Sequence, residues 1–261
     1  MDSENNKMFA FLDRYLMGPM GKISQLRIVR GVMAAGMASI PFTIVGSMFL
    51  IISVLPQSFP VLEGIWSASF DKIQNLYMLG NTATMGILAL YFCVVFGYEY
   101  TKIQAQEEKI VLSPVNGALL SMMAFFMCLP QLVFEGGMAT LVNVISDDQK
   151  IIDGWEMAGG VTRLGTTGIF TAIIMAIIAV KIYAFCVKRN IVIKMPDTVP
   201  TGVSSSFTAL IPTALTSLAV IVINGALVAM GTDIFKVIAI PFSFVTQLTS
   251  TWVGLLVIYF F

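Results

Sequence analysis

The sequence predicts an all-α, polytopic transmembrane protein of about five to six spans, with an amphipathic helix ahead of them. Of the 261 residues, 57% are hydrophobic and only 11% are charged, whereas soluble domains carry roughly 25% charged residues. Five of the six uncharged stretches exceed the roughly 20 apolar residues of a spanning helix. Lys181 extends the shorter fourth stretch, because its side chain reaches the headgroups. The stretches are 31–62, 73–98, 110–134, 164–180, 198–232 and 237–261.

The predicted elements follow these stretches. Residues 7–17 place apolar side chains on one helical face, which predicts a helix in the membrane interface. Gly31, Ala35 and Ser39 recur at four-residue spacing in the first span, a pattern that favours close helix packing or dimerisation. A charged loop is expected over 99–109, and a longer acidic loop after the third span. The spans are predicted at about 29–55, 76–98, 114–134, 164–185 and 207–230, with a sixth apolar stretch from 234.

The distribution of basic residues predicts the orientation. With the N-terminus inside, the cytoplasmic segments hold 11 of the 15 lysines and arginines. Only Lys72, Lys150, Arg163 and Lys236 fall on the external side. Because lysine and arginine accumulate in cytoplasmic loops, we expect a multi-pass protein with a cytoplasmic N-terminus.

Several function classes are disfavoured by composition. The net charge is zero, so nothing indicates nucleic-acid binding. Cys93, Cys128 and Cys186 stand singly in or beside apolar runs, which favours buried, inert thiols over disulfides or metal ligands. The chain has no histidine, which excludes any mechanism that needs a histidine from this chain. We therefore assign no catalytic residue, no metal site and no cofactor.

A glycine-rich run, residues 159–168, is the first candidate site. It is interpreted either as close helix packing or as a broken helix end whose backbone groups, with Thr166 and Thr167, face a polar solute. Asn224 and Gln247 could line the same polar path, and such uncharged groups suit a neutral ligand such as a sugar. The candidate substrate-binding residues are Asn81, Thr84, Arg163, Gly165, Thr166, Thr167 and Gly168.

The proline segment, residues 191–215, is the second candidate feature. Pro196 and Pro200 fix their own φ angles and push the preceding residues out of the helical region. The segment is therefore predicted to be a stiff, extended cytoplasmic connection between two membrane halves. Serines after it are suited to capping the next helix. The candidate hinge residues are Pro196, Pro200, Ser206, Phe207 and Pro212.

Three motifs, which stand along the chain in the same order as in one known family, indicate that family. Residues 192–212 read VIKMPDTVPTGVSSSFTALIP and closely resemble the signature IK(L/M)PxxVPxxVxxSFxALIP. That signature belongs to the membrane component (EIIC) of the lactose/cellobiose (diacetylchitobiose) family of the bacterial phosphoenolpyruvate-dependent sugar phosphotransferase system. Residues 164–170 resemble its LGxxGxF motif and residues 117–125 its GxLLSxxAF helix. The resemblance covers essentially the whole chain.

The resemblance implies a homodimeric permease in the bacterial inner or plasma membrane. Its members admit a disaccharide of the cellobiose, lactose or chitobiose type, which a separate phosphorylated IIB subunit then phosphorylates at the cytoplasmic face. On this basis residues 1–30 are a cytoplasmic basic segment and 31–190 the dimerising membrane half. Residues 191–261 are the hinge and the start of the substrate half.

The sequence also departs from the family pattern. The family's histidine motif and later glutamate are absent from the 261 residues, and the chain carries no phosphoacceptor, which leaves an enzymatic role open. Two functions remain: a sugar permease component that is incomplete here, or a transport-incompetent membrane scaffold. We expect the chain alone not to support phosphorylation-linked cellobiose uptake, and measurable uptake would contradict this.

Overall fold

The computed structural model describes residues 18–130, 163–196 and 198–240, together with five short strands between positions 132 and 158. The amphipathic helix predicted over residues 7–17 lies outside the described residues, as does Gln247. Most of the sixth apolar stretch lies outside them as well.

Helices dominate the described part of the chain. A turn of 3₁₀ helix, Met85–Ile87, separates α4 from α5, and a second, Thr166–Gly168, precedes α7. The helices are α1 (Gly18–Ser24), α2 (Arg27–Ser58), α3 (Glu63–Ala68), α4 (Gln74–Thr84), α5 (Leu88–Glu108), α6 (Pro114–Phe126), α7 (Ile169–Lys188), α8 (Thr201–Ala229) and α9, described over residues 234–240.

Four helical segments are long and apolar enough to cross a membrane, by length and composition. They correspond to the first, second, fourth and fifth predicted spans, and they confirm the prediction of a polytopic helical fold. The segments are Arg27–Ser58, Asp71–Glu108, Thr166–Lys188 and Thr201–Ala229.

The third predicted span is shorter than expected. Helix α6 ends at Phe126, not near Phe134, and is followed by turns and then by strand β1. The proline at position 130 gives the physical reason, because its ring would clash with the carbonyl of the residue four positions earlier, Phe126. The helix therefore stops where that clash would begin.

The segment predicted to be an acidic loop contains short antiparallel strands. β1 (Leu132–Glu135) pairs with β2 (Met138–Leu141). β3 (Ile145–Ser146), β4 (Gln149–Ile152) and β5 (Trp155–Ala158) form a second sheet in that order. These strands add hairpins to a fold that is otherwise helical in its described part.

The prediction of a charged loop over residues 99–109 is wrong. Helix α5 continues to Glu108, and Lys109 ends it in the left-handed conformation, with φ 51°. The helix continues because its last carboxylates have partners on neighbouring helices. Glu107 pairs with Arg27 and Arg30 of α2, and Glu108 pairs with Arg27 and with Lys188 of α7. We call this cluster the charged network, and the side of the molecule that holds it the basic end.

The core lies where α5, α6 and α7 pack together. Phe96, Phe125 and Tyr183, one from each helix, are almost fully buried. Small side chains of α7, such as Ala176, let these large residues approach closely. The three cysteines are free and buried, which confirms the prediction of buried, unpaired thiols: Cys93, Cys128 and Cys186.

The small-residue stripe of the first span is used within the chain. The buried residues of α2 are Gly31, Ala35, Ser39 and Gly46. A Cβ at Gly31 would lie 2.9 Å from the Phe96 ring of α5. Of the two interpretations of this stripe, close helix packing is the one that the structure supports.

Candidate functional site

Two helix interruptions meet at the end of the molecule opposite the basic end. The Met85–Ile87 turn contacts the Thr166–Gly168 turn, and the Ala89 N–H of α5 donates a hydrogen bond of 2.8 Å to the Leu164 carbonyl. This bond satisfies a donor in the first turn of α5 that has no partner within the helix. The glycine-rich run and the α4–α5 break are therefore one structural unit.

Gly168 makes that contact possible. A Cβ there would lie 3.2 Å from the Ala89 Cβ and would collide with the Arg163 backbone, 3.0 Å from its carbonyl carbon. Gly165 is buried as well, whereas Thr166 and Thr167 are exposed. Both interpretations of the run thus have support: the glycines serve close packing, and the two threonines face outward.

Asn81 and Thr84 lie beside the break but bond to the protein. Asn81 Nδ2 donates to the Gly46 carbonyl of α2 at 3.0 Å, and Thr84 Oγ1 donates to the Gly80 carbonyl at 2.6 Å. A Cβ at Gly46 would lie 2.5 Å from Thr84 Oγ1. The Asn81 bond therefore joins α4 to α2, while Gly46 leaves room for the Thr84 side chain. Asn224 bonds internally too, through its Nδ2 to the Met127 carbonyl at 2.9 Å.

Arg163 forms an ion pair that sequence reasoning missed. Its Nη2 lies 3.0 Å from Asp233 Oδ2, its Nη1 donates to the Leu129 carbonyl at 3.1 Å, and its guanidinium lies 4.7 Å from the Phe235 ring centre. The Arg163 and Asp233 side chains are 12% and 15% exposed. Asp233 Oδ1 also accepts the Lys236 N–H at 2.9 Å, as an N-cap of α9 does. The signal in the sequence that could have pointed to Asp233 was its position as an acidic residue between two apolar stretches.

The proline segment forms a tight connection at the basic end. The Val199 N–H donates to the Pro196 carbonyl at 3.0 Å, and helix α8 begins at Thr201, directly after Pro200. The serines do not cap α8, contrary to the prediction, because Pro200 occupies the N-cap position without a side-chain hydrogen bond. Ser206 Oγ instead donates to the Gly202 carbonyl at 3.0 Å.

The remaining hinge residues lie within α8. Phe207 is 39% exposed in its second turn, and Pro212 is fully buried inside the helix. The start of α8 is held against α6, since Asn116 Nδ2 donates to the Ser205 carbonyl at 2.8 Å. Tyr183 of α7 accepts the Ser113 N–H at 3.2 Å on the same side. The connection is thus fixed to α6, while the Ser113–Tyr183 bond joins the start of α6 to α7.

Within the part of the chain that the structure describes, no three His, Cys, Asp or Glu side chains are grouped closely enough to hold a metal ion. The polar groups described above are amides, hydroxyls and one ion pair. Such groups bind and orient a neutral solute, and they supply no evident nucleophile.

Comparison with known proteins identifies the family to which this fold belongs. Residues 33–261 match the family described as phosphotransferase system, EIIC. The oligo-beta-mannoside-specific EIIC component of Bacillus subtilis (strain 168) is 30% identical over 218 residues, which cover 83% of this chain and 44% of that protein. The cellobiose-specific EIIC component of Geobacillus stearothermophilus is 32% identical over 215 residues, covering 80% and 43%.

A solved structure supports the same family as these two relatives. The transporter ChbC, the IIC component of the N,N'-diacetylchitobiose-specific phosphotransferase system, matches with a TM-score of 0.74 and 27% identity. The match covers 95% of this chain and 54% of ChbC. The chain thus spans less than half the length of the two curated relatives above. With a family match over most of its length and the same helical fold, this chain belongs to the EIIC family of the phosphotransferase system.

Proposed function

We propose that the chain acts in a sugar-specific permease, which takes up a disaccharide of the cellobiose, lactose or chitobiose type and couples uptake to phosphorylation by a IIB subunit. The proline segment carries this proposal. It is the segment that joins the α5–α7 core to α8, and it is fixed to α6 by the hydrogen bond from Asn116 to the Ser205 carbonyl. The specificities of the two relatives, for cellobiose and oligo-beta-mannoside, support the class of sugar.

The unit formed by the two helix interruptions is proposed as a sugar-contacting surface. Thr166 and Thr167 are exposed there and carry hydroxyls suited to a sugar. Asn81, Thr84 and Arg163 act indirectly, because Asn81 and Arg163 bond to neighbouring elements and the Thr84 hydroxyl bonds within its own helix. Gly165 and Gly168 supply the close approach.

The same proposal divides the chain into three parts. Residues 1–30 form the cytoplasmic N-terminal segment, 31–190 the membrane half, and 191–261 the hinge and the start of the substrate half. The large core side chains of α5, α6 and α7 support the membrane half, and Val220 of α8 and Ile234 of α9 belong to the same core. Because the charged network and the proline segment lie at the basic end, the N-terminus is proposed to be cytoplasmic.

A homodimer and lipid contacts belong to the same proposal. Helix α2 buries only its stripe of small residues, while apolar side chains on its other faces are exposed, including Met37 at 66% and Met48 at 59%. Lipid or a second copy would cover such a surface in a membrane.

The proposal is tested by uptake of labelled cellobiose into a bacterial strain that lacks its own cellobiose permease but keeps the general phosphotransferase proteins and IIB. The chain is expressed alone and also fused to the remaining C-terminal part of the Geobacillus stearothermophilus relative. Accumulation of phosphorylated cellobiose that depends on IIB is the expected result for the fused form, whereas the chain expressed alone should give none. Absence of uptake in both forms, with each protein inserted and folded, would contradict the proposal and favour the alternative of a membrane scaffold.

A further inference from the structure

A cavity lies at the basic end, beneath the proline segment. It has a volume of about 390 Å³ and is bounded by the proline segment, the start of α6 and the end of α7. Small-molecule sites typically measure about 300–1,000 Å³. The cavity is therefore large enough for a bound ligand.

Hydroxyl groups dominate the polar part of the cavity wall. Two of them, on Thr201 and Ser204, have no hydrogen-bond partner in the described part of the chain. Tyr183, only 1% exposed, uses its oxygen to accept the Ser113 N–H, and its own hydroxyl hydrogen stays available. The hydroxyl-bearing residues of the wall are Ser113, Tyr183, Thr201, Ser204, Ser205 and Thr208.

The rest of the wall is apolar, with Met195, Pro196 and Val199 on the hinge side. None of the described wall residues is charged, so a phosphorylated ligand would enter without a cation to pair with it. A sugar carries hydroxyls along its edges and C–H groups on its faces. A neutral sugar therefore suits both parts of this wall.

We infer that this cavity is a second binding site for a neutral sugar, at the basic end of the molecule. Tyr183, the cavity-lining residue of α7, lies 15 residues after Gly168, which at 1.5 Å per residue separates the cavity from the Thr166–Gly168 turn by roughly 22 Å. The site would hold the sugar beneath the proline segment before release. The inference rests on the proposed function only for the choice of sugar.

The test measures protection of a single reactive cysteine in the purified full chain. Ser204→Cys places a thiol in the cavity wall, while Val203→Cys, at a position that is 47% exposed and outside the wall, is the matched control. The three native cysteines are buried and react slowly. Cellobiose at about twice its dissociation constant should slow maleimide labelling of Ser204→Cys about threefold, because only the free fraction reacts. Labelling of Val203→Cys should not change, and mannitol of equal osmolarity should affect neither.

A second variant tests the chemistry of the wall. Thr201→Val removes a hydroxyl and keeps the side-chain shape, so in the Ser204→Cys protein it should weaken protection by cellobiose. Equal labelling rates of Ser204→Cys with and without cellobiose, in protein that unfolds at the parent temperature, would overturn the inference. Equal slowing at both cysteines would overturn it too. Since the assay reads binding and not uptake, its failure is distinguishable from failure of the permease proposal.

Discussion

Two glycines set the distance between α5 and α6. A Cβ at Gly97 would lie 2.7 Å from the Ser121 Cβ, and one at Gly117 would lie 2.7 Å from the Thr101 Cβ. Thr101 and Ser121 are fully buried, and each donates its hydroxyl to a glycine carbonyl of its own helix, Thr101 to Gly97 at 2.6 Å and Ser121 to Gly117 at 2.7 Å. Neither side chain has room to move away.

Gly117→Ala is therefore expected to destabilise the fold. Overpacking of a tight core costs about 1–3 kcal/mol, and this outweighs the gain of up to about 1 kcal/mol that alanine brings to a helix. The measurement is the thermal unfolding midpoint in detergent. Gly36→Ala in α2 is the control, because nothing lies within 4 Å of its added Cβ. An equal midpoint for both variants would show that the α5–α6 contact is looser than described.

The Arg163–Asp233 pair is expected to stabilise the join between α7 and α9. Asp233→Asn removes the charge and leaves a good N-cap. Since the pair is largely shielded from solvent, the loss in free energy of unfolding should be about 1–3 kcal/mol, between the values for exposed and for buried ion pairs. In an Arg163→Gln background the same change should cost much less. Fully additive losses in this double-mutant cycle would indicate that the two residues act separately.

At the scale of elements, the charged network joins three helices that contribute little charge elsewhere. Glu108 lies 2.7 Å from both Arg27 and Lys188, and Arg30 lies 3.0 Å from Glu107. The start of α2 and the ends of α5 and α7 are thereby held together. This contact lies at the end where the proline segment leaves α7, so it also steadies the base of that segment.

Glu108→Gln should loosen this end of the molecule. It removes one charge that serves two cations on different helices, and we expect a loss of about 1–2 kcal/mol at low salt, larger than that for one exposed pair. The loss should shrink in about 1 M salt, where the Debye length is about 3 Å. Glu99→Gln is the control, since among the described residues Glu99 pairs with Lys102 of its own helix alone. A salt-independent loss would point to packing and not to charge.

The elements show which features the sequence could predict. Long apolar runs located α2, α7 and α8, because a membrane helix needs only length and hydropathy. The end of α6 also had a local signal, the proline at position 130, which hydropathy alone ignores. The break at Met85–Ile87 had no clear signal in the local sequence, since it is fixed by contact with the distant Thr166–Gly168 turn. The extension of α5 to Glu108 likewise depends on partners far along the chain.

At the scale of the whole molecule, the candidate sites were predicted in part. The glycine-rich run and the proline segment stand out by composition, because glycine and proline restrict or permit particular backbone geometries. The side chains that surround these two segments do not stand out in the sequence. Asp233 as the partner of Arg163, and the cavity formed with Tyr183, depend on tertiary contacts between separate helices. Sequence therefore located the backbone of each site but not the side chains that complete it.

The orientation of the molecule is the prediction that bears most on the proposed function, because that proposal requires the proline segment and its cavity to face the cytoplasm. Gln106→Cys, near the end of α5, and Ser69→Cys, beyond α3, place single thiols at exposed neutral positions on opposite ends. In intact cells, an impermeant maleimide should label Ser69→Cys and leave Gln106→Cys unlabelled. After permeabilisation both should react, while the buried native cysteines give a low background. Labelling of Gln106→Cys in intact cells would place the basic end outside, against the tendency of lysine and arginine to remain in the cytoplasm.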